Sequence, residues 1–199
     1  MFVIKLRSSI NKIMEGYYSS IELEKIGFKS IGHDVLISKK TSIYMPEKIT
    51  IANYVRIDDF SLLIGNIDVE SYVHIGAYCG LHASGKGRII FKKYSGISSN
   101  VNVYASSDSF DGEYMTGRHG ILDSCTNVLY GEVVFGEYSQ CGTGCTILQN
   151  AKLGEGTAIY AMSLVNEELL PWSIYAGIPC KKVKERRKDL LNKLEVYNE

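Results

Sequence analysis

The sequence predicts an all-β fold, a three-sided parallel solenoid of short strands. Three observations lead to this prediction: apolar residues recur every six positions, interruptions separate them into multiples of three units, and glycine is abundant. The 19 glycines, together with many Ile, Val and Tyr residues, favour strands and turns over helices. A period of six fits neither the 3.6-residue period of an α-helix nor the two-residue period of a simple strand.

The repeat places one bulky side chain inward in each short strand and a small one four positions later, at a tight corner. Nineteen positions follow the main period, and Cys141 is the one member that is neither aliphatic nor aromatic. These positions are Ile31, Ile37, Ile43, Ile51, Ile57, Leu63, Val69, Ile75, Leu81, Phe91, Ile97, Val103, Leu129, Phe135, Cys141, Ile147, Leu153, Ile159 and Val165.

Interruptions of the repeat indicate how many units complete one coil. Extra residues follow the units that start at Ile43, Leu81 and Val103, after three, six and three units. Because each count is a multiple of three, the breaks fall on one edge of a prism whose coils stack about 4.8 Å apart. A β-sandwich would not sustain such a repeat. The period leaves the handedness open, and crossovers between parallel strands are generally right-handed.

An N-terminal segment, residues 1–28, precedes the repeat. Ser19 and Glu22 have the spacing of a capping box and predict a short helix that ends at Gly27 and covers the open end of the solenoid. Residues 1–16 are expected to form a disordered tail.

The solenoid is predicted over residues 29–184, with a protruding loop over residues 108–127. We expect this loop to be functional, because long loops in a compact domain are usually functional or disordered and a rigid scaffold often presents sites on its loops. Residues 185–199 carry leucines at helical spacing and predict a C-terminal helix.

Composition narrows the function. The 22 basic and 22 acidic residues balance, which gives no support for nucleic-acid binding. Five cysteines without framework spacing indicate free thiols in a reducing compartment. No run of 18 apolar residues predicts a membrane span, and the first 20 residues are too polar for a signal peptide. We therefore expect a cytoplasmic protein.

Two stretches resemble the hexapeptide-repeat acyltransferases: LGEGTA at residues 153–158 and PWSIYAGIPC at residues 171–180. The second is similar to the segment that closes the coils in sugar O- and N-acetyltransferases, including the galactoside acetyltransferases. Hexads also occur in γ-class carbonic anhydrases, but hexads, one loop and this ending together are more specific. Further segments resemble a subgroup that modifies sugars of bacterial surface polysaccharides, such as lipopolysaccharide O-antigen; they are residues 55–60, 73–75, 107–110 and 112–113.

The resemblance implies a left-handed parallel β-helix, a homotrimer, and active sites between neighbouring subunits. It also implies that acetyl-CoA binds along one edge of the prism and that a histidine is the general base. The sequence departs from the galactoside enzymes at one point: their base lies at the start of the loop, whereas residues 104–108 here contain no His.

His74 is the first candidate for the base. It follows Arg56 by one coil, so both side chains should stack on one outward face, where Asp58 or Asp59 could orient the imidazole. An imidazole can accept a proton near neutral pH. Arg56 is a candidate for substrate binding. The alternatives are His82 at the base of the loop and then His119 within it, whereas His33 lies far from the loop; any of the four could instead be a surface or structural histidine.

Loop residues are candidates for binding the acceptor. Asp108 and Asp111 could bind sugar hydroxyls or orient the base, although Asp111 before a glycine is equally typical of a tight turn. Tyr104 and Tyr114 could stack on a sugar ring or nucleotide, although packing is an equal alternative.

Cofactor candidates lie near the C-terminal coils. Gly142 and Thr143 belong to a Gly-Thr-Gly stretch that permits close backbone approach, and the resemblance implies that Gly142 and Ala161 line the pantetheine groove. Tight corners alone would also explain these small residues. The basic cluster that follows residues 176–179 could pair with CoA phosphates or form a solvated helix face. The cofactor candidates in this region are Ala176, Gly177, Pro179, Lys181 and Arg186.

The sequence therefore predicts an acetyltransferase that moves an acetyl group from acetyl-CoA to a hydroxyl or amino group of a sugar or nucleotide sugar. The chemistry needs no metal and no covalent enzyme intermediate. The alternatives are a γ-carbonic-anhydrase-like metalloenzyme and a non-enzymatic solenoid that binds a partner.

Overall fold

The computed structural model describes residues 16–117 and 119–193, so most of the predicted tail lies outside the described residues. Short strands wind into a solenoid of about seven turns with three flat faces, each a parallel sheet apart from one terminal hairpin. Face 1 consists of β1 (Ser30–Ile31), β4 (Ile49–Ile51), β7 (Ile67–Val69), β10 (Arg88–Phe91), β15 (Glu132–Phe135), β18 (Lys152–Leu153) and β21 (Glu168–Leu169). Face 2 consists of β2 (Leu36–Ile37), β5 (Arg56–Ile57), β8 (His74–Ile75), β11 (Gly96–Ile97), β16 (Gln140–Cys141), β19 (Ala158–Ile159), β22 (Ser173–Gly177) and β23 (Cys180–Glu185). Face 3 consists of β3 (Ser42–Tyr44), β6 (Leu62–Gly65), β9 (Gly80–Ala83), β12 (Asn102–Tyr104), β17 (Thr146–Ile147) and β20 (Leu164–Val165).

Three edges join the faces, and each edge is named here by the faces that it connects. In the second coil, for example, residues 52–55 form edge 1–2 and residues 58–61 form edge 2–3. The chain then returns to face 1 through edge 3–1, where the long insertion leaves the solenoid.

The predicted inward positions form the core. Ile37, Leu63 and Ile147 are completely buried, and the rings of Phe91 and Phe135 stack inside the prism with centroids 4.3 Å apart. Full burial of one such side chain contributes roughly 1.5–3 kcal/mol. The hexapeptide period therefore identifies both the core and the number of sides correctly.

The prediction that the repeat resumes at Leu129 is wrong. The insertion rises on a hairpin in which β13 (Ser106–Asp108) pairs antiparallel with β14 (Val128–Tyr130), and Leu129 on that hairpin is 48% exposed. Because β13 and β14 form a two-stranded sheet of their own, the repeat resumes only at β15. The insertion also contains a short 3-10 helix, Asp123–Cys125; another, Pro46–Lys48, precedes β4.

Both ends of the solenoid are covered. The helix α1 (Ser20–Ile26) has the predicted capping box between Ser19 and Glu22 and ends at Gly27 in a left-handed conformation, and its Leu23 is buried against the core. At the other end, β22 and β23 form an antiparallel hairpin. The C-terminal helix is seen at residues 190–193, later than predicted, because β23 extends through Glu185.

An aromatic ladder runs along edge 1–2. Tyr54, Tyr72, Tyr94 and Tyr138 all have positive φ, and the centroids of successive rings lie 4.8, 4.8 and 5.4 Å apart. Trp172 follows Tyr138 at 6.2 Å. Such pairs contribute about 0.5–1.5 kcal/mol each, so this ladder holds neighbouring corners together.

None of the helices in the described part of the chain has the length and apolar character needed to cross a bilayer.

Candidate active site

Face 2 carries His74, the first candidate for the general base. His74 aligns with Arg56 in the parallel register, as the coil length predicts. Its Nε2 lies 2.8 Å from Oδ2 of Asp58, whose Oδ1 accepts hydrogen bonds from Nε of Arg56 at 2.7 Å and from the hydroxyl of Tyr17 at 3.2 Å. The His74 side chain is 53% exposed, so solvent or a ligand can reach it.

Asp58 is the carboxylate that orients His74. Burial acts to raise the pKa of Asp58, but hydrogen bonds from His74 and Arg56 outweigh it and hold that pKa below its usual range. Asp58 is therefore ionised at neutral pH and can stabilise an imidazolium at His74. Because the guanidinium of Arg56 is directed to Asp58, its predicted contact with substrate would have to use the remaining guanidinium nitrogens.

Asp59, the other predicted partner, points away from His74. It accepts hydrogen bonds from Nζ of Lys40 at 2.7 Å and from the hydroxyl of Ser38 at 2.5 Å. The hydrogen bond from Lys40, followed by that from Ser38, lowers the pKa of Asp59.

A cavity of about 300 Å³ opens beside His74 on face 2. Asp58, His74, Ser98 and Cys141 are among the residues that line it. Ser98 was not a candidate from the sequence, because a single serine at a corner position gives no signal without the fold. It is exposed and lies on edge 2–3, one coil before Gly142.

A second cavity of about 460 Å³ lies where the insertion meets face 3. It is lined by His82, Tyr104 and Asp108, together with Ser106 and Phe110. The structure thus brings three of the predicted residues into one cavity, on a different face from His74.

The surroundings of His82 differ from those of His74. Its ring stacks on Tyr104 with centroids 4.6 Å apart and planes 7° apart, and burial lowers its pKa. A neutral imidazole is thereby favoured near neutral pH. Asp108 accepts a hydrogen bond from the backbone N–H of Gly117 at 3.0 Å, which anchors the loop.

Other loop candidates lie outside this cavity. Asp111 accepts hydrogen bonds from the hydroxyl of Ser109 at 2.7 Å and from the N–H of Glu113 at 2.9 Å, the geometry of a turn. Tyr114 is 37% exposed and His119 is exposed on the loop surface. The turn interpretation of Asp111 therefore accounts for its present contacts.

Edge 2–3 has the close backbone approach expected of a cofactor groove. A Cβ built on Gly142 would lie 2.6 Å from the backbone nitrogen of Ala161, so only glycine fits there. Thr143 donates its hydroxyl to the carbonyl of Ser99 at 2.6 Å and so ties this corner to the preceding coil. Small residues at this edge both close the corner and leave room beside it.

The terminal hairpin holds most of the other cofactor candidates. Ala176 pairs with Lys181 across β22 and β23, Gly177 has a φ of 105°, and Pro179 lies in the turn between the strands. The N–H of Gly177 donates to Oγ of Ser163 at 3.0 Å, which joins the hairpin to edge 2–3. Lys181 is exposed.

Arg186 does not join this group. Its Nη1 donates to the carbonyls of Tyr138 at 2.8 Å and Gly156 at 3.0 Å, on edge 1–2, across face 2 from Gly142. Burial lowers the pKa of this guanidinium. Arg186 therefore joins two successive coils beside the aromatic ladder, which is a structural role.

The part of the chain that the structure describes contains no group of three or more His, Cys, Asp or Glu side chains that could hold a metal ion.

Known proteins share both sequence and fold with this chain, although no protein-family model matches it. The chain is 38% identical over 184 residues to a dTDP-4-amino-4,6-dideoxy-D-glucose acyltransferase of Escherichia coli, an alignment that covers 91% of this chain and 94% of that enzyme. It is 41% identical to a single-residue variant of AntD, an N-acyltransferase from Bacillus cereus, solved with dTDP and coenzyme A; the TM-score is 0.88, with 92% of this chain and 97% of that chain covered. A structure of AntD with dTDP and 3-hydroxybutyryl-CoA gives a TM-score of 0.87 at 42% identity and covers 92% of this chain and 96% of that one.

The solenoid and these relatives define a left-handed β-helix acyltransferase, which confirms the predicted fold and reaction class. The chain belongs to the hexapeptide-repeat sugar acyltransferases, and the related AntD structures hold coenzyme A or 3-hydroxybutyryl-CoA. The relatives thus support acyl transfer over the carbonic-anhydrase and non-enzymatic alternatives.

Proposed function

We propose that this enzyme transfers an acetyl group from acetyl-CoA to the amino group of a dTDP-linked 4-amino-4,6-dideoxy sugar. The observation that carries the proposal is the 38% identity, across 91% of the chain, to an Escherichia coli acyltransferase named for that nucleotide sugar. Another single-residue variant of AntD has been crystallised with dTDP-4-amino-4,6-dideoxyglucose and coenzyme A. The product would be an N-acylated nucleotide sugar for a surface polysaccharide, made in the cytoplasm where nucleotide sugars and acetyl-CoA are supplied.

The reaction would be a direct attack of the sugar amine on the thioester carbon. Two things help such a step: a group that accepts the amine proton, and donors that stabilise the tetrahedral oxyanion. The pantetheine arm would lie on edge 2–3, where Gly142 and Ala161 leave the backbone accessible, with the CoA phosphates near Lys181. A backbone N–H at this edge would serve as the oxyanion donor.

His74 is the proposed proton acceptor and Asp58 its positioning residue. Nε2 of His74 faces Asp58 at 2.8 Å, and no partner for Nδ1 exists within residues 16–117 and 119–193, so Nδ1 can face a substrate. Asp58 would stabilise the imidazolium as it forms. His82 is the alternative base; its lowered pKa favours a neutral ring, but Tyr104 covers one side of that ring.

The cavity of His82, Tyr104 and Asp108 is the proposed acceptor-binding region. Its Asp108 carboxylate suits an amine that carries a positive charge before reaction, which favours an amino sugar over a neutral hydroxyl acceptor. This cavity and His74 lie on different faces of one chain, so one subunit's edge and its neighbour's loop would complete each site. A homotrimer is therefore part of the proposal.

A direct assay tests the function. Purified enzyme is incubated with acetyl-CoA and dTDP-4-amino-4,6-dideoxyglucose, and we expect release of free thiol together with the added mass of one acetyl group on the sugar. dTDP-glucose, which carries hydroxyls at C4 and C6 and no amine, is the control and should not react. Acetylation of dTDP-glucose, or no reaction with the amino sugar, would contradict the proposal.

The acyl group and the assembly need separate measurements. Parallel reactions with acetyl-CoA and 3-hydroxybutyryl-CoA compare kcat/KM, and acetyl-CoA should be preferred. Light scattering should give the mass of three 22.2 kDa chains; a monomer with full activity would remove the need for a shared site.

A further inference from the structure

Edge 2–3 carries a second, shorter aromatic stack. Phe60 and Tyr78 occupy its corner positions in successive coils, each with a φ of 60°. Their ring centroids lie 4.9 Å apart with planes 23° apart. The two side chains are nevertheless 49% and 56% exposed, so the stack lies at the surface.

Within residues 16–117 and 119–193, no ring lies against the outer face of Tyr78. On edge 1–2 the ladder continues from coil to coil up to Tyr138, and Trp172 reaches Tyr138 across Gly156, whereas the corner residue after Tyr78 is Asn100. The N–H of Asn100 donates to the carbonyl of Ala77 at 3.0 Å, which shows that Asn100 belongs to the very next coil. In the described part of the chain, Phe60 is the one aromatic partner of Tyr78. One more planar ring would extend the stack where Asn100 leaves space.

The other end of the stack is closed. Nζ of Lys40 lies 5.1 Å above the centre of the Phe60 ring, and Asp59 holds that ammonium at 2.7 Å. A planar ligand can therefore add to the pair at Tyr78 and not at Phe60.

The open face of Tyr78 points towards the proposed site of acyl transfer. Gly142 and Ser98 lie on the same edge, and two coils separate Tyr78 from Gly142, a span of about 10 Å at the usual strand spacing. In a dTDP-linked amino sugar, deoxyribose, diphosphate and hexose together separate the base from the reacting amino group, and this flexible chain can bridge a span of that order. Lys181, the proposed partner of the CoA phosphates, lies at the opposite, C-terminal end of the edge.

We propose that Tyr78 stacks on the nucleobase of the nucleotide-linked acceptor, so that Phe60 and Tyr78 form its base-binding platform. This inference rests on the proposed function. Stacking between a base and an aromatic side chain is tolerant of the base, so the same surface could take the thymine of the acceptor or the adenine of CoA. We assign this surface to the thymine of the acceptor, because Lys181, the proposed partner of the CoA phosphates, lies at the other end of the edge.

Calorimetric titration of the full-length protein with dTDP and, separately, with CoA distinguishes the two bases. The test variant is Tyr78→Asn, because asparagine tolerates a positive φ and already occupies the next corner. Tyr78→Phe keeps the ring, and Tyr44→Asn removes an equally exposed tyrosine, 57% against 56%, from face 3. We expect Tyr78→Asn to weaken dTDP binding about tenfold to hundredfold and to leave CoA binding unchanged, with both other proteins close to wild type.

Each other result overturns the assignment. Weaker CoA binding with unchanged dTDP binding would place adenine at Tyr78, and unchanged binding of both would show that the platform holds no base. An equal loss in Tyr44→Asn would show a non-specific effect, and circular dichroism establishes that each variant is folded. Failure of the proposed function is separate, because it would appear as a wild-type enzyme that does not acylate the amino sugar.

Discussion

Arg186 offers a test that separates a structural role from cofactor binding. Its guanidinium makes two charged hydrogen bonds to the carbonyls of Tyr138 and Gly156, at 2.8 and 3.0 Å, and it is partly buried. Such bonds are worth about 1.5–3 kcal/mol each. Since solvent still reaches part of the group, we expect Arg186→Met to destabilise the protein by roughly 2–4 kcal/mol.

A loss of that size is measurable as a melting temperature. One kcal/mol shifts the midpoint by about 2–4 °C in a chain of this size, so the decrease should be about 5–15 °C. The matched control is Arg187→Met, because Arg187 is 88% exposed and pairs with the exposed Asp189; its midpoint should hardly move. CoA affinity, measured below the transition, should stay unchanged in both variants. An unchanged midpoint with weakened CoA binding would refute the structural reasoning and return Arg186 to the cofactor site.

Three more predictions concern the site and its support. His74→Ala should lower kcat roughly 100-fold or more, with little change in CoA affinity; near-normal turnover, with the loss found instead in His82→Ala, would move the role of base to His82. Asp108→Asn should raise KM for the amino sugar and leave that for acetyl-CoA unchanged, and an equal rise in both would contradict a specific contact with the amine. Hydrogen bonds lower the pKa of Glu22 from 4.5 to about 2, and the one from Lys39 has the largest effect. Because this pKa is lowered in the folded state, its stabilising effect is full above pH 4.5 and is lost as the pH falls towards 2. Hydrogen-exchange protection factors in α1, which divide out the pH dependence of intrinsic exchange, should fall over that range, and protection factors that stay constant would contradict this role of Glu22.

The sequence predicted the coil and the protruding loop, but it could not predict the hairpin on which that loop rises. Each short strand must place one bulky side chain, such as Ile147, inside the prism. The spacing of these side chains in the sequence therefore follows directly from the fold. Leu129 matches that spacing by chance, because the backbone at β14 pairs with its own hairpin partner and not with a face. Local apolar period therefore cannot locate the point at which the chain rejoins the solenoid.

Part of the site was predictable from the same repeat. A coil of 18 residues places His74 beside Arg56, and the structure confirms that register. The coil length could not decide whether Asp58 or Asp59 contacts His74, since both residues follow the strand at the same corner and differ only in side-chain direction. The sequence also could not predict that Arg186 lies on edge 1–2, because no hexapeptide repeat marks the path of β23 and the residues after it.

Corner residues explain how one scaffold carries both a structural edge and a binding edge. The same left-handed backbone conformation occurs at Tyr94 on edge 1–2 and at Asn100 on edge 2–3. Where successive corners are aromatic, the rings stack and hold the coils together. Where Asn100 follows Tyr78, the face of the tyrosine ring stays exposed to a ligand. Substitution at a corner therefore changes the surface without changing the inward hexapeptide pattern. It follows that Asn100→Tyr should extend the stack over Tyr78, retain the fold and weaken nucleotide binding, and a variant that binds dTDP as tightly as wild type would show that the nucleotide lies elsewhere.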